Sequence, residues 1–491
     1  MQELIQLVEK LGSPRVLLAG DFILDSYVYG DVERINPEAP VPVLRTMRRQ
    51  SSVGGAGNVA AAVPALGAQV RCVGVIGQDE AGGELSRLLN EAGAQTAPLL
   101  RVEGRPTAVK TRYVGLAQHR HPQQMLRVDE ESTLPLSPAV QASIRGSFRT
   151  ELSQADIVVL EDYNKGLLDD VLTPQLIADA ARAGKIVVVD PALLNDFGRY
   201  RGAAVVKPNR YEAARASGIK IDSDASLAQA AAKLQKATDA RAVVISLDRD
   251  GAYLFSDGAG KMIRHRCPRN VYDVTGAGDE TLAVLAVALA GGCDYESAVE
   301  LANMAGGLEV ERFGFAPIRR EELLGEMRRM MGLGGSKVVA RTKLLEEVAR
   351  RRQLGQTVVF TNGCFDLLHM GHVRYLQQAR RQGHCLIVAV NSDASARRLK
   401  GPSRPVIGQD ERAEMLGALD CVDYVTLFEE DTPEPLLRML RPDVLVKGGA
   451  TPTIVGREIV ESYGGKVLSL ELVAGLSTTA IIERIMGKNG Q

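Results

Sequence analysis

Asp273-Val-Thr-Gly-Ala-Gly-Asp279 is followed, after Glu280, by Thr281–Leu289, an apolar stretch with helical character. Gly276, Ala277 and Gly278 make a tight turn, and the helix start beyond it offers unpaired N–H groups and a positive dipole end to an anion. Asp279 would stand beside that anion hole, where its carboxylate can take a proton from a hydroxyl attacking a γ-phosphate. The competing reading is a glycine turn with an acid in the first helical turn that merely favours the dipole. Upstream, the apolar runs Val16–Ala19, Val70–Ile76, Ile157–Leu160, Ile186–Val189, Ala203–Val206 and Ala242–Leu247 alternate with helical patterns such as Pro174–Ala183 and Leu227–Ala237. That alternation predicts a mainly parallel sheet with helices on both faces. Val41–Thr46, Thr107–Val114 and Gln124–Val128 break the pattern with alternating polarity, which predicts a small β lid projecting from the body.

The chain has 491 residues, enough for about two to four domains. Its hydrophobic fraction of 45% argues against disorder, and its formal net charge of -1 gives no global field toward nucleic acid or an anionic membrane surface. Any anion must therefore be held by local groups. Six cysteines occur without a Cys-x-x-Cys pair, so they read as thiols of a reducing compartment rather than a zinc or redox motif. The opening MQELIQLVEKLGSPR lacks the basic-then-apolar order of a signal peptide, and no run of about 18 apolar residues suggests a membrane span. A cytoplasmic α/β enzyme is expected.

The character changes near Ile318. Ile318–Met331 and Lys343–Gln353 read as charged helices separated by the flexible break Gly332–Ser336. The expected organisation is a first domain over 1–332, a linker and connecting helix over 333–355, and a second domain over 356–491. In the second domain, strands are expected at Val358–Thr361, Cys385–Asn391, Tyr424–Leu427, Val444–Lys447 and Val467–Leu470. Helices are expected after Gly371 and around Asp410–Leu419, Pro433–Leu440, Val455–Tyr463 and Thr478–Met486. This is the pattern of a small doubly wound, Rossmann-like sheet, whose ligand sits at the carboxyl ends of the strands.

In the first domain, Gly20-Asp21, Asp25, Gly54-Gly55-Ala-Gly57-Asn58 and Lys207-Pro-Asn209-Arg210-Tyr211-Glu212 accompany the glycine turn. Taken singly, Asp21 and Asp25 could be caps or turn formers, and Glu212 a solvated first-turn acid. Together, over about residues 14–318, they resemble the ribokinase-like carbohydrate kinases. The resemblance implies Asp279 as catalytic base, with Gly276, Ala277 and Gly278 in the anion hole. It implies Asn209 to Glu212 at the ATP site, with Glu212 serving Mg2+. It also implies Asp21, Asp25, Gly54, Gly55 and Asn58 on the sugar hydroxyls. Gly30–Arg45 resembles the heptose 7-phosphate kinase branch, and the lid offers Lys110, Arg112 and Arg127 to a sugar phosphate, although any one of them could equally be a solvated lid residue. Position 280 is Glu where the family usually has Thr or Ser; it could perturb the base or point to solvent.

In the second domain, Thr361-Asn362-Gly363-Cys-Phe365-Asp-Leu-Leu-His369-Met-Gly-His372 follows a strand and opens a helix. Two histidines at a helix start can donate hydrogen bonds to phosphate oxygens. A His pair can also be a metal site, but no Cys cluster or His-Glu-x-x-His pattern completes one. With Asn391-Ser-Asp393, Lys400 in the next loop, Arg412 opening a helix, Lys447-Gly-Gly and Ser477-Thr478-Thr479, the array resembles the cytidylyltransferase-like nucleotidyltransferases over about residues 356–488. It is most similar to the heptose 1-phosphate adenylyltransferases. The resemblance implies His369 and His372 on the nucleotide phosphates, with Lys400, Arg412 and Ser477–Thr479 assisting. Ala450 departs from the Asp usual after Lys-Gly-Gly.

The two halves in this order resemble the fused heptose kinase/adenylyltransferases. The implied partners are ATP, Mg2+, heptose 7-phosphate and heptose 1-phosphate, with a separate bisphosphate phosphatase acting between the two reactions. A homodimer is implied by lids that pair between subunits. Another sugar phosphate, CTP in place of ATP, or a non-catalytic binding role for one half are the alternatives.

Overall fold

The computed structural model describes residues 1–116, 123–265, 275–312, 314–331, 337–353, 355–448 and 454–470. The chain divides into two compact units, Met1–Met331 and Gly332–Gln491.

The first unit is built on a nine-stranded sheet. Across it the strands run Ala259–Ile263, Ala252–Ser256, Ala242–Ser246, Val205–Val206, Ile186–Asp190, Ile157–Glu161, Arg15–Gly20, Gln69–Gly77 and Leu99–Val102. The seven strands from Ala242–Ser246 to Leu99–Val102 are parallel; Ala252–Ser256 and Ala259–Ile263 add an antiparallel hairpin absent from the sequence-based expectation. The parallel strands read as continuous apolar runs because both faces are covered: Ile157–Glu161 is buried at every residue. One core lies under the helices Ala56–Ala65, Ala277–Ala290 and Tyr295–Glu309, and the other under Pro138–Leu152, Leu172–Arg182 and Asp224–Thr238. Numbered along the chain, the parallel strands lie in the order 3-2-1-4-5-6-7. The order reverses between Arg15–Gly20 and Ile157–Glu161, and in such sheets the ligand crevice lies at that point, at the carboxyl ends of the strands.

The lid is a four-stranded sheet in the order Pro42–Gly55, Phe22–Ile35, Ala108–Leu116, Gln123–Glu130. Its longest members, Phe22–Ile35 and Pro42–Gly55, each span 14 residues. Phe22–Ile35 corrects the cap-or-turn reading of Asp25, which lies within that strand opposite Ser52. Its first residues, Phe22, Ile23 and Leu24, are all buried, so the period-two signature of a half-exposed strand is missing there.

The second unit has five parallel strands in the order Tyr424–Phe428, Cys385–Asn391, Val358–Gly363, Val444–Gly448, Lys466–Leu470, again 3-2-1-4-5 along the chain. The helix Arg341–Gln353, expected as a connector, buries Leu344 and Val348 in this unit's core. Just before it, Val339 N–H donates to Val425 and Val425 N–H to Lys337, extending the sheet edge. A further helix, Asp393–Lys400, occupies ground read as loop, so Lys400 ends a helix rather than lying in a loop. Asp273, Ala450, Ser477, Thr478, Thr479 and the expected helix Thr478–Met486 lie outside the described residues.

Two candidate active sites at matching crevices

In the first crevice the helix Ala277–Ala290 begins at Gly276, whose φ of 90° is left-handed. A Cβ there would lie 2.4 Å from the Phe315 ring, so both conformation and space require glycine. The first intrahelical bond runs from Glu280 N to Gly276 O, leaving the N–H groups of Ala277, Gly278 and Asp279 without intrahelical partners. Asp279 is buried. Its Oδ2 accepts from Asn58 Nδ2 at 2.7 Å and its Oδ1 from the Tyr163 hydroxyl at 2.9 Å. Burial raises its pKa to about 6 against the lowering effect of those two hydrogen bonds. A carboxylate tuned near neutrality suits a general base.

Asp21, Asp25 and Asn58 converge around the same crevice. Asp21 Oδ2 accepts the backbone N–H groups of Tyr163 (3.0 Å) and Lys165 (2.9 Å), while its carbonyl accepts from Ala56 N at 3.0 Å. Gly54 lets the lid strand lie against Asp25: a Cβ there would fall 2.5 Å from Asp25 Oδ2. Gly55, at φ 57°, turns the chain into the helix that carries Asn58. In the lid register Asp25 faces Lys110, Tyr27 faces Arg112, and Arg112 faces Arg127, so these side chains share one face. Arg112 pairs with Asp25 at 2.6 Å. Arg127 is instead bound twice by Asp129, at 2.9 Å each, and is half exposed.

Behind the base lies a dense set of charges. Lys207 pairs with Asp190 at 2.6 Å, both beneath the sheet's carboxyl edge. Burial opposes the Lys207 charge, but Asp190 outweighs it and its pKa rises. Burial and then Asp190 push Glu212 up to about 7, and burial with Asp190 and Asp279 raises Glu161. Among the described residues, the buried Glu161 Oε2 has no hydrogen-bond partner. Asn209 and Glu212 form a reciprocal capping box at the start of the helix Arg210–Ser217, at 2.8 and 2.9 Å. Arg210 is tied to Asp250, and Tyr211 is exposed. Glu280 does not reach solvent. It is fully buried, accepts from Ile318 N at 3.2 Å, and burial raises its pKa to about 8.

In the second crevice, between Val358–Gly363 and Val444–Gly448, Asn362 and Lys447 meet: Lys447 Nζ donates to Asn362 O and Oδ1, both at 2.9 Å. Burial lowers the Lys447 pKa to about 8. The histidines stack at 3.9 Å between ring centroids, and the Phe365 ring meets His372 edge-on at 5.3 Å. His369 caps the helix Met370–Arg380, its Nδ1 accepting from Gly371 N at 3.1 Å. A neutral His369 therefore carries its proton on Nε2. Burial lowers the pKa of both histidines, and His372, with the His369 charge adding to burial, falls to about 4. Both are neutral at pH 7, and the His372 ring is also hydrogen-bonded to the Leu367 backbone.

Three features of this crevice escaped the sequence. Tyr375 ties Thr361 Oγ1 (2.6 Å) and the Val446 carbonyl (3.0 Å) to the helix behind the histidines. Asp366 holds the segment after Lys400 through Arg404 and the N–H groups of Val406 and Ile407. Arg412, expected among the phosphate contacts, is fully buried, and each of its three nitrogens donates within the protein: to Ile407 O, Cys364 O and Asp393 Oδ1. Gly363 closes the first strand, and Lys400 is exposed.

Fold and sites together define a fused sugar kinase and nucleotidyltransferase. Residues 15–320 match the pfkB family of carbohydrate kinases, and residues 360–484 match the cytidylyltransferase-like family. Ribokinase of Arabidopsis thaliana, solved with ribose and ATP, superposes on 64% of this chain and 98% of its own at a TM-score of 0.52 and 22% identity. Phosphofructokinase-2 of Escherichia coli covers 65% of this chain and all of its own at a TM-score of 0.54 and 20% identity. At these identities the likeness concerns the fold. Over its whole length the chain is 44% identical to Bifunctional protein HldE of Geobacter sulfurreducens (98% of this chain, 97% of the relative) and 43% identical to that of Trichlorobacter lovleyi (98% and 97%). The chain belongs to the bifunctional HldE family.

Proposed function

We propose that the first unit transfers the γ-phosphoryl group of ATP to O1 of D-glycero-β-D-manno-heptose 7-phosphate, and that the second joins AMP from ATP to heptose 1-phosphate with release of pyrophosphate. The products are the 1,7-bisphosphate and ADP-heptose, and a separate phosphatase removes the 7-phosphate between the two steps. The observation that carries the kinase reading is Asp279, a buried carboxylate held by Asn58 and Tyr163 beside three N–H groups that have no intrahelical partner. As O1 attacks the γ-phosphorus, its proton passes to Asp279. The bond to the bridging oxygen breaks, ADP leaves, and the Ala277–Asp279 amides receive the charge on the transferred group. Asp21, Asp25 and Asn58 orient the sugar, and Lys110 and Arg112 on the lid face its 7-phosphate.

The surplus of carboxylates around Glu212, with an orphaned Glu161 oxygen, suits a hard divalent cation. Glu212 would hold Mg2+, which when bound would neutralise phosphate charge. Asn209 to Glu212 line the ATP side.

In the second unit a phosphate oxygen of the sugar attacks the α-phosphorus of ATP and pyrophosphate departs. His369 Nε2–H and His372 donate to phosphate oxygens at the dipole end, and Lys447 supplies positive charge. Thr361, Asn362, Gly363 and Phe365 shape the floor. Arg412 and Asp393 hold it, and Lys400 and Ser477–Thr479 complete the phosphate contacts. The kinase domain is assigned to 1–332 and the nucleotidyltransferase sheet to 356–491, with the preceding helix Arg341–Gln353 packed into its core. The setting is cytoplasmic, consistent with the absence, among the described residues, of a helix long and apolar enough to cross a membrane. A homodimer through the lid is supported by its exposed Ile35, Met47, Met125 and Leu126.

Phosphorus NMR of the protein with Mg2+, ATP and heptose 7-phosphate tests the kinase reading. A 1,7-bisphosphate that forms with the native chain and disappears with Asp279→Asn is expected. No product from the native chain, with ATP binding intact, overturns the assignment.

A further inference from the structure

Tyr163 follows the strand Ile157–Glu161 at the point where the first sheet reverses its order, and it touches both ends of the proposed reaction. Its backbone N–H donates to Asp21 Oδ2 at 3.0 Å, and its hydroxyl donates to Asp279 Oδ1 at 2.9 Å. Its ring lies 4.8 Å from Lys110 Nζ on the lid. The next turn is fastened the same way: Lys165 N–H reaches the same Asp21 oxygen, and its ammonium pairs with Glu131 at 2.6 Å. One residue thus spans a sugar-gripping carboxylate, the base and a lid cation.

We propose that Tyr163 is the positioning residue of the kinase site: it anchors Asp279 through Oδ1, leaving Oδ2, held by Asn58, as the oxygen that receives the sugar proton, and it carries Lys110 on its ring so that lid and base are set together. This rests on the kinase reading above. The geometry is specific, because a carboxylate held at one oxygen by a phenol cannot rotate away from the helix start. The phenol stays a donor: burial and the Asp279 charge raise its pKa well above that of free tyrosine. Hydrogen bonds to the charged form favour it, so this contact keeps Asp279 ionised against burial and the neighbouring carboxylates. The charged groups acting on Asp279 are Asp190 and Lys207 behind it, Glu161 beneath it and the adjacent Glu280. None of these moves when the phenol oxygen is removed.

The test is the pH profile of kcat/KM and the kcat of the full chain with ATP and heptose 7-phosphate, for the native protein and Tyr163→Phe. The acidic limb is expected to move up by about one pH unit, a tenfold change in proton affinity. A fall in kcat of about 10- to 30-fold is expected, with KM for the sugar nearly unchanged, less than the roughly 10²- to 10⁴-fold that a general base contributes in full. 3-Fluorotyrosine placed at position 163 keeps the fold and sharpens the donor, so the limb is expected to move down. An unmoved limb and a kcat within about twofold in both proteins overturns the proposal while leaving the kinase reading intact. An inactive native chain sinks the kinase reading itself. If Tyr163→Phe fails to fold, the fluorinated protein alone decides, since its limb either moves or stays.

Discussion

The two units put their chemistry at the same place in the same strand order, yet with opposite electrostatics. Each sheet reverses direction beside its first strand, and each crevice opens on a helix start that can hold phosphate. Around the first crevice Glu161, Asp190, Glu212 and Asp279 crowd about one lysine. Around the second stand two neutral histidines and Lys447, while the nearby acids Asp366 and Asp393 are spent on Arg404 and Arg412. The difference follows from what each reaction lacks. A sugar hydroxyl is a poor nucleophile and needs a base. A sugar phosphate is already ionised and needs only to be placed and to have its repulsion relieved.

The contrast breaks most easily at the two helix starts. Asp279→Asn is expected to lower phosphorylation by about 10³-fold or more while leaving adenylyl transfer intact, read by bisphosphate formation and pyrophosphate release on one preparation. His369→Ala or His372→Ala should do the reverse, cutting adenylyl transfer by about 10²- to 10³-fold with the kinase rate unchanged. Loss of both activities from either change would mean the units are not chemically independent.

Acidity separates the halves in opposite directions. Asp279 is the active form when ionised, so kinase activity is full above about pH 6 and is lost as pH falls through it. Lys447 is active when protonated, so adenylyl transfer is full below about pH 8 and declines above it, while His372, at about 4, is already neutral across this span. One unit beyond either midpoint should cost roughly tenfold. Parallel rate profiles from pH 5 to 9 read both limbs, and two profiles bending on the same side would contradict the charge assignment.

The smallest effect concerns stability. Glu280 titrates near 4.5 when unfolded and about 8 when buried. The folded state therefore holds its proton more tightly, so its contribution is fully present below pH 4.5 and is lost as pH rises through 8. Glu280→Gln should raise the melting temperature of the first unit by about 5 °C at pH 8.5 and by little at pH 5. An equal shift at both values would place the carboxyl in water.

Most of the frame was legible because parallel strands buried on both faces write themselves as unbroken apolar runs; Cys385–Asn391 is such a run, buried at every residue. Short elements with one small buried face left no trace. The helix Asp393–Lys400 buries only Ser395 and Ala396. The glycine turn and the histidine pair were readable because their chemistry is local. Tyr163 was not, since its partner lies 116 residues away, and neither was the commitment of Arg412 to Cys364, 48 residues distant. Glu280 illustrates the same limit: nothing adjacent in the chain says whether a first-turn acid faces water or Ile318.

The hydrogen bonds that join Lys337 and Val339 to Val425, followed by a helix that sinks Leu344 and Val348, set where this molecule can be cut. A protease or a gene truncation acting between 332 and 336 would release a second half with its sheet edge still covered. A start at 356 would strip that cover, leave an unpaired edge strand above an apolar furrow, and turn a folded catalyst into a sticky fragment.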